Sequence, residues 1–226
     1  MSLAVVVFSG GQDSTTCLAW ARSRFDEVHA LTFDYGQRHR AELTAARRIA
    51  KRVGVRHVVV NLHGFGQVSA SALTRRNVKV RADGGLGGLP STFTPGRNLV
   101  FLTVAASYAV SHGAADLVTG VCQTDYSGYP DCRRSTIDAV EQAIKLGNGL
   151  DAFRIHTPLM DLTKAETVRL AVELGALPLL AESHTCYQGA RPACGTCPAC
   201  VLRRRGFFEA GVPDPIAYRL ADAASN

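Results

Sequence analysis

Leu3-Ala4-Val5-Val6-Val7-Phe8 runs directly into Ser9-Gly10-Gly11-Gln12-Asp13-Ser14. The first six residues are apolar and valine-rich, which predicts a buried strand. Gly10 and Gly11 end it, and residues 13–22 read as a helix. Glycine at these two positions lets backbone amides approach a phosphate and take up turn geometry. The amides of the helix start and the hydroxyls of Ser9 and Ser14 supply further donors. Asp13 is placed to hold Mg²⁺ or to hydrogen-bond the loop. The string is neither the lysine-containing loop of kinases and GTPases nor the dinucleotide fingerprint. An ordinary tight turn is the plain alternative. The full Ser-Gly-Gly-x-Asp-Ser string straight after an apolar strand weighs against it.

Outward from this turn, strands and helices alternate. Residues 28–33 and 57–61 read as strands. Between them Leu43, Ala46, Ala50 and Val53 recur at helical spacing, and Gly54 offers a C-cap. This alternation predicts an α/β fold, a parallel sheet covered by helices on both faces. Residues 62–97 break the rhythm with glycines and prolines, as a lid or binding loop does. Residues 98–112 read as a helix that Asn98 caps, 116–121 as a strand, 122–132 as a polar turn and 133–147 as a helix. Thr163 and Glu166 form a capping box for one more helix. The composition changes from Cys186 onward. We therefore expect a catalytic domain over 1–180 and a small metal-binding region over 181–226, packed on the core.

Cys186, Cys194, Cys197 and Cys200 lie within fifteen residues. Four thiolates so spaced suit tetrahedral Zn²⁺ with no open position, hence a structural ion; an iron–sulfur cluster is the rival. A helix through Cys200–Arg205 should pack this region back on the core, with Arg203, Arg204 and Arg205 read as a solvated face. Of the other three cysteines, Cys17 falls on the first helix as core packing. Cys122 and Cys132 flank the polar turn, and no activating base stands beside them in the sequence.

The chain has 226 residues, 46% hydrophobic and 19% charged, which excludes a disordered polymer. Its seven cysteines are an odd number and argue against a fully paired disulfide framework. No basic leader precedes the first apolar run and no stretch is long enough to span a membrane, so a cytoplasmic location is expected. The net charge of +6 suits ATP and an anionic substrate as well as it suits nucleic acid.

Two further segments look made for a substrate. Arg97, in Thr94-Pro95-Gly96-Arg97-Asn98, would point a guanidinium above the sheet toward a phosphate or carboxylate. The turn after Gly120 brings Asp125, Tyr126, Tyr129, Asp131 and Arg133 to the carboxyl ends of the strands, where open α/β sheets bind ligands. Its aromatics could stack a heterocycle, and Asp125 or Asp131 could accept from an amino-pyrimidinone edge.

The Ser-Gly-Gly-x-Asp-Ser string resembles the signature of the PP-loop, or N-type ATP pyrophosphatase, superfamily. Together with ALTFDYGQRH, TFTPGRN, DYSGYPDCR, TPLMDLTKAE and the terminal cysteines, in this order, the whole chain resembles the 7-cyano-7-deazaguanine synthases of queuosine biosynthesis. The resemblance implies a Rossmann-like fold of the adenine nucleotide alpha hydrolase kind, a structural zinc on the four cysteines, and a homodimer. It implies conversion of 7-carboxy-7-deazaguanine, ammonia and two ATP, with Mg²⁺, into the nitrile. It maps the ATP loop onto Phe8, Ser9, Gly10, Gly11, Gln12, Asp13, Ser14, Thr15, Thr16, Cys17 and Leu18. Ser9, Asp13, Ser14, Arg97 and Lys164 are the catalytic candidates; Arg97, Asp125, Tyr126, Tyr129, Asp131 and Arg133 are the substrate candidates. His39, Asp34 and Asp131 are weak candidates for a base. Neither a stable nucleic-acid partner nor a membrane is expected. The alternative is a PP-loop tRNA-modifying enzyme, a thiolase or lysidine-type synthetase. A non-catalytic nucleic-acid-binding module leaves the phosphate loop unexplained.

Overall fold

Five parallel strands form the centre of the computed structural model, which describes residues 1–75, 77–81, 85–124 and 128–219. They are β1 (Leu3–Val7), β2 (Glu27–Asp34), β3 (Arg56–Asn61), β4 (Asp116–Val118) and β5 (Arg154–His156), in the order β3-β2-β1-β4-β5. Because side chains alternate along a strand, each strand feeds both faces. Val5, Leu31, Leu117 and Ile155 point to one face, where they meet Leu102, Ala105 and Ala109 of α4 (Arg97–Ser111) and Ile137 and Ile144 of α5 (Arg134–Asn148). Ala4, Val6, Val28, Ala30 and Val118 point to the other. There they meet Cys17 and Leu18 of α1 (Gln12–Arg22) and Ala46 and Ile49 of α2 (Ala41–Val53). Burial on both faces is why the strands read as unbroken apolar runs rather than alternating ones.

The α/β sheet is as expected, and so are Gly54 as a left-handed C-cap and Cys17 as fully buried packing. Other expectations change. β4 stops at Val118 rather than at 121, and β5 was not anticipated. The 62–97 segment holds a short helix, α3 (His63–Val68), and is tied at its base. Ala72 N–H donates to Ser91 O at 2.8 Å, and the Thr92 and Tyr129 hydroxyls meet at 2.5 Å. Asn98 does not cap α4. Gly96 holds that position, and the Asn98 amide donates to Asp131 Oδ2 at 3.1 Å, so the cap comes from a residue remote in the chain.

After α6 (Lys164–Glu173) and α7 (Leu177–Leu180) the chain reaches the four cysteines and then α8 (Pro198–Ala210). Phe207 of α8 packs with Ala19 of α1, Val168 and Ala171 of α6, and Leu180 of α7. This ties the C-terminal region to the sheet's helical layer. The reading of the three arginines needs correction. Arg203 is 1% exposed. It holds both Asp214 oxygens, at 2.9 to 3.2 Å, and donates to Ser183 Oγ at 2.7 Å and Leu180 O at 3.2 Å. A buried guanidinium is tolerated when its donors are met in this way. Arg204 and Arg205 are exposed as expected, and Arg205 pairs with Glu209.

Candidate active site and metal centre

The strand order reverses between β1 and β4, which leaves a crevice at the carboxyl ends of the sheet. A cleft of about 260 Å³ lies there. Its phosphate-loop wall is Phe8, Ser9, Gly11, Gln12, Asp13 and Ser14, and Gly120 and Val121 come from beyond β4. Gly120 is needed for this closure, because a Cβ there would stand 3.2 Å from the backbone of Asp13 and Ser14. Gly10 has a positive φ of 79°, and a Cβ would meet Ala46 N at 2.5 Å. It therefore serves the close approach of α2 as well as the turn.

The loop is held by its own hydroxyls. Ser9 and Ser14 Oγ are 3.0 Å apart, and Ser14 Oγ donates to Gly11 O at 3.2 Å. Gly11 N–H donates to Ser9 Oγ at 3.2 Å. Gln12, Asp13 and Ser14 of the first turn of α1 line the same cleft, and a helix start supplies free amides to an anion. Thr15, Thr16, Cys17 and Leu18 are fully buried behind it, on the core side of the helix.

Lys164 reaches this loop from α6. The Thr163–Glu166 capping box is formed, with Thr163 Oγ1 accepting from Glu166 N at 3.2 Å and Glu166 Oε2 accepting from Thr163 N at 2.7 Å. It sets the helix start so that Lys164 Nζ lies 3.0 Å from both Asp13 oxygens. Gly206 of α8 makes room for the lysine stem: a Cβ there would stand inside contact distance of Lys164 Cγ.

The opposite end of the cleft is aromatic. Tyr35, Phe101, Tyr129 and Tyr187 line it, with Gln37, Glu42 and Arg97. Burial works against charge on Arg97, but Tyr35, Asp131, Tyr187 and Cys132 around it hold it firmly charged. Burial pushes the Glu42 carboxyl up to about 7, with Arg97 pulling the other way. Burial likewise raises the Tyr35, Tyr129 and Tyr187 hydroxyls. Tyr129 thus lies with Arg97 at this end of the cleft. Asp131 acts as the α4 cap, and Arg133 is the residue before α5; neither lines the cleft. Asp125 and Tyr126 lie outside the described residues. Asp34 is paired with Arg40 and, at 2.9 Å, with His63 Nε2. Cys122 and Cys132 both line the cleft; Cys122 Sγ lies 2.9 Å from Thr124 Oγ1, and Asn98 Nδ2 donates to Cys132 Sγ at 3.2 Å.

Glu42 and Tyr187 were not singled out in the sequence. Glu42 looks like any acid in the first turn of a helix. Tyr187 follows Cys186, and that adjacency was the available signal.

The four cysteines converge. Their sulfurs all lie within 4.8 Å of one another, and Cys194 and Cys200 Sγ are 3.8 Å apart. A tetrahedral ion with bonds of about 2.3 Å separates its sulfurs by about 3.8 Å. The set therefore fits one ion; a cluster spreads its thiolates over several irons. Hydrogen bonds from Cys197 and Cys200 favour Cys186 as the thiolate, while the Cys197 thiol is pushed up to about 11 by that same neighbour. A cation between them is what lets all four ionise together. His184 links this centre to the phosphate loop. Its N–H donates to Gly10 O at 2.9 Å and its Nε2 lies 3.1 Å from Cys186 O.

Comparison with known proteins agrees with this geometry. The family described as "Queuosine biosynthesis protein QueC" matches residues 3–211. The chain belongs to the QueC family. Within the family it is 58% identical over 221 residues to the 7-cyano-7-deazaguanine synthase of Laribacter hongkongensis (strain HLHK9), covering 96% of this chain and 95% of the relative. It is 57% identical over 223 residues to the enzyme of that name from Chromobacterium violaceum, covering 96% and 93%. Among solved structures, a predicted subunit of tRNA methyltransferase from Methanocaldococcus jannaschii is similar in fold, with a TM-score of 0.50 at 20% identity over 76% of this chain and 75% of that one. No helix among the described residues is long and apolar enough to cross a membrane.

Proposed function

We infer that this QueC-family chain is an ATP-dependent ligase that makes 7-cyano-7-deazaguanine from 7-carboxy-7-deazaguanine and ammonia. The observation that carries the reading is the family match along 3–211, with relatives of that activity 57–58% identical over nearly their whole length. The cleft supports it, because phosphate-binding groups and an aromatic, charged end share one space.

The chemistry must expel both carboxylate oxygens. A carboxylate oxygen attacks the α-phosphorus of ATP, and pyrophosphate leaves. Ammonia attacks the acyl carbon, a proton is lost, and AMP departs with one carboxylate oxygen. The amide oxygen then attacks a second ATP. Loss of the remaining N–H protons and of the second AMP leaves the nitrile. Both activations place an oxygen against an α-phosphate, so one site serves twice.

Roles for individual residues belong to this proposal. The amides beginning α1, with Ser9 and Ser14, bind the departing phosphates. Lys164 lends positive charge beside them and is held in place by Asp13. Arg97 neutralises the substrate carboxylate. Asp13 offers Mg²⁺ a hard oxygen ligand facing the cleft, and the ion would shield phosphate charge. Cys186, Cys194, Cys197 and Cys200 would hold structural Zn²⁺. We divide the chain into a catalytic part, 1–180, and a zinc-held part, 181–226, that braces the loop through His184. We assign it a homodimeric, cytoplasmic state without a nucleic-acid partner.

Incubation with ATP, ammonium and 7-carboxy-7-deazaguanine, read by mass spectrometry, tests the function. The nitrile is expected. Its absence from folded, zinc-loaded protein would revive the tRNA-modifying alternative.

A further inference from the structure

The established reaction requires a carboxylate, ammonia and ATP, but it does not say how this ring is chosen over other carboxylated heterocycles. The amino-pyrimidinone end of 7-deazaguanine presents two parallel donors, the ring N–H and the neighbouring amino group. Their natural complement is a carboxylate that accepts from both at once. Among the described residues two acids line the cleft, Asp13 and Glu42. Asp13 stands against Lys164 at the phosphate-loop end. The Glu42 carboxylate has no hydrogen-bond donor among the described residues; burial and the charge of Arg97 are what act on it.

The two acids also stand at different ends. Asp13 and Lys164 are grouped at the start of α1, where both act on Cys17. Glu42 interacts with Arg97, Tyr35 and Tyr187, the charged and aromatic groups opposite. Four aromatic side chains at that end provide flat apolar walls for a bicyclic ring. A carboxylate without a hydrogen-bond donor, shielded among them, is costly in the empty protein even with Arg97 nearby. Two N–H donors from a ligand would remove that cost.

On the reading given under Proposed function, we propose that Glu42 determines substrate specificity by accepting both donors of the amino-pyrimidinone edge of the substrate ring. The ring then lies among Tyr35, Phe101, Tyr129 and Tyr187, with its carboxylate reaching past Arg97 toward ATP. Glu42 takes no proton in the reaction; it orients and selects.

The experiment compares 7-carboxy-7-deazaguanine with the same compound lacking the 2-amino group, in the wild type and in Glu42→Gln. Glutamine keeps the size but replaces one acceptor by a donor. The wild type should prefer the amino compound in kcat/KM by about 100-fold or more, since a site built to hydrogen-bond an N–H rejects the analogue without it. Glu42→Gln should raise KM for the true substrate by about 10- to 100-fold, with a smaller change in kcat, and erase most of the preference. Equal use of both compounds by the wild type overturns the proposal without reliance on any variant. So does a Gln variant that keeps the preference, or one that loses kcat at unchanged KM, which would make Glu42 a proton-transfer group. Failure of the wild type to form nitrile from the amino compound would instead refute the function, which separates the two outcomes.

Discussion

Lys164 Nζ lies 3.0 Å from each carboxylate oxygen of Asp13, joining the start of α6 to the start of α1 across the mouth of the phosphate loop. The lysine side chain is nearly buried and the aspartate about one-third exposed, so the pair has a dry side and a side open to the cleft. Asp13→Ala should abolish measurable nitrile formation while zinc stays bound. Lys164→Ala should lower kcat by about 100-fold or more, the size of effect seen when a group facing developing charge is removed. Steady-state kinetics and metal analysis of the same samples check both. Full activity in the Asp13 variant would reject its place in the ATP site.

Gly206 makes a second, indirect prediction. Alanine is favoured over glycine inside a helix by about 1 kcal/mol. Gly206→Ala in α8 nevertheless puts a methyl group against the stem and backbone of Lys164. It should depress kcat by displacing the lysine from Asp13. A matched Gly147→Ala change in α5, where a Cβ meets nothing within 4 Å, should leave kcat unaltered. Parallel kinetics on the two variants decide this.

Glu42 should carry a pH signature. It faces Arg97 from α4, Tyr35 from the end of β2, and Tyr187 from the C-terminal region. Its carboxyl is raised from 4.5 to about 7 in the fold, first by burial. The folded protein therefore binds the extra proton between those values, and ionised Glu42 destabilises the empty protein. That penalty is fully present above pH 7 and fades as pH falls toward 4.5. Glu42→Gln should stabilise the substrate-free protein by no more than about 3 kcal/mol at high pH, with the gain vanishing near pH 4.5. Denaturant titrations across pH measure it.

Removing the metal should act beyond its own site. With no cation, four thiolates cannot share the space in which their sulfurs now lie within 4.8 Å. The strand of chain after His184 would loosen, and with it the amide that holds Gly10 O. A chelator under denaturing stress should lower both the melting temperature and the ATP-dependent activity, and zinc added during refolding should restore the two together. Activity that survives complete zinc loss would separate the metal from the loop.

How far these features could be read in advance depended on their range. β1, the phosphate turn, the capping box and the cysteine set are local, so a few adjacent residues carry each. β5 was missed because only Ile155 of its three residues is apolar, too short a run to show a period. The α4 cap was placed on Asn98, whereas the acceptor is Asp131, 33 positions away. Arg203 read as solvated until Asp214, Ser183 and Leu180 were seen around it. Glu42 is unremarkable along the chain; its meaning comes from α4, β2 and Tyr187 meeting over one cleft.

We propose that one site activates the same carbon twice. This is tested most directly with substrate carrying ¹⁸O in both carboxylate positions. Two AMP and two pyrophosphate per nitrile are expected, with one labelled oxygen in each AMP. Release of ADP and phosphate, or of label into water instead of AMP, would contradict it.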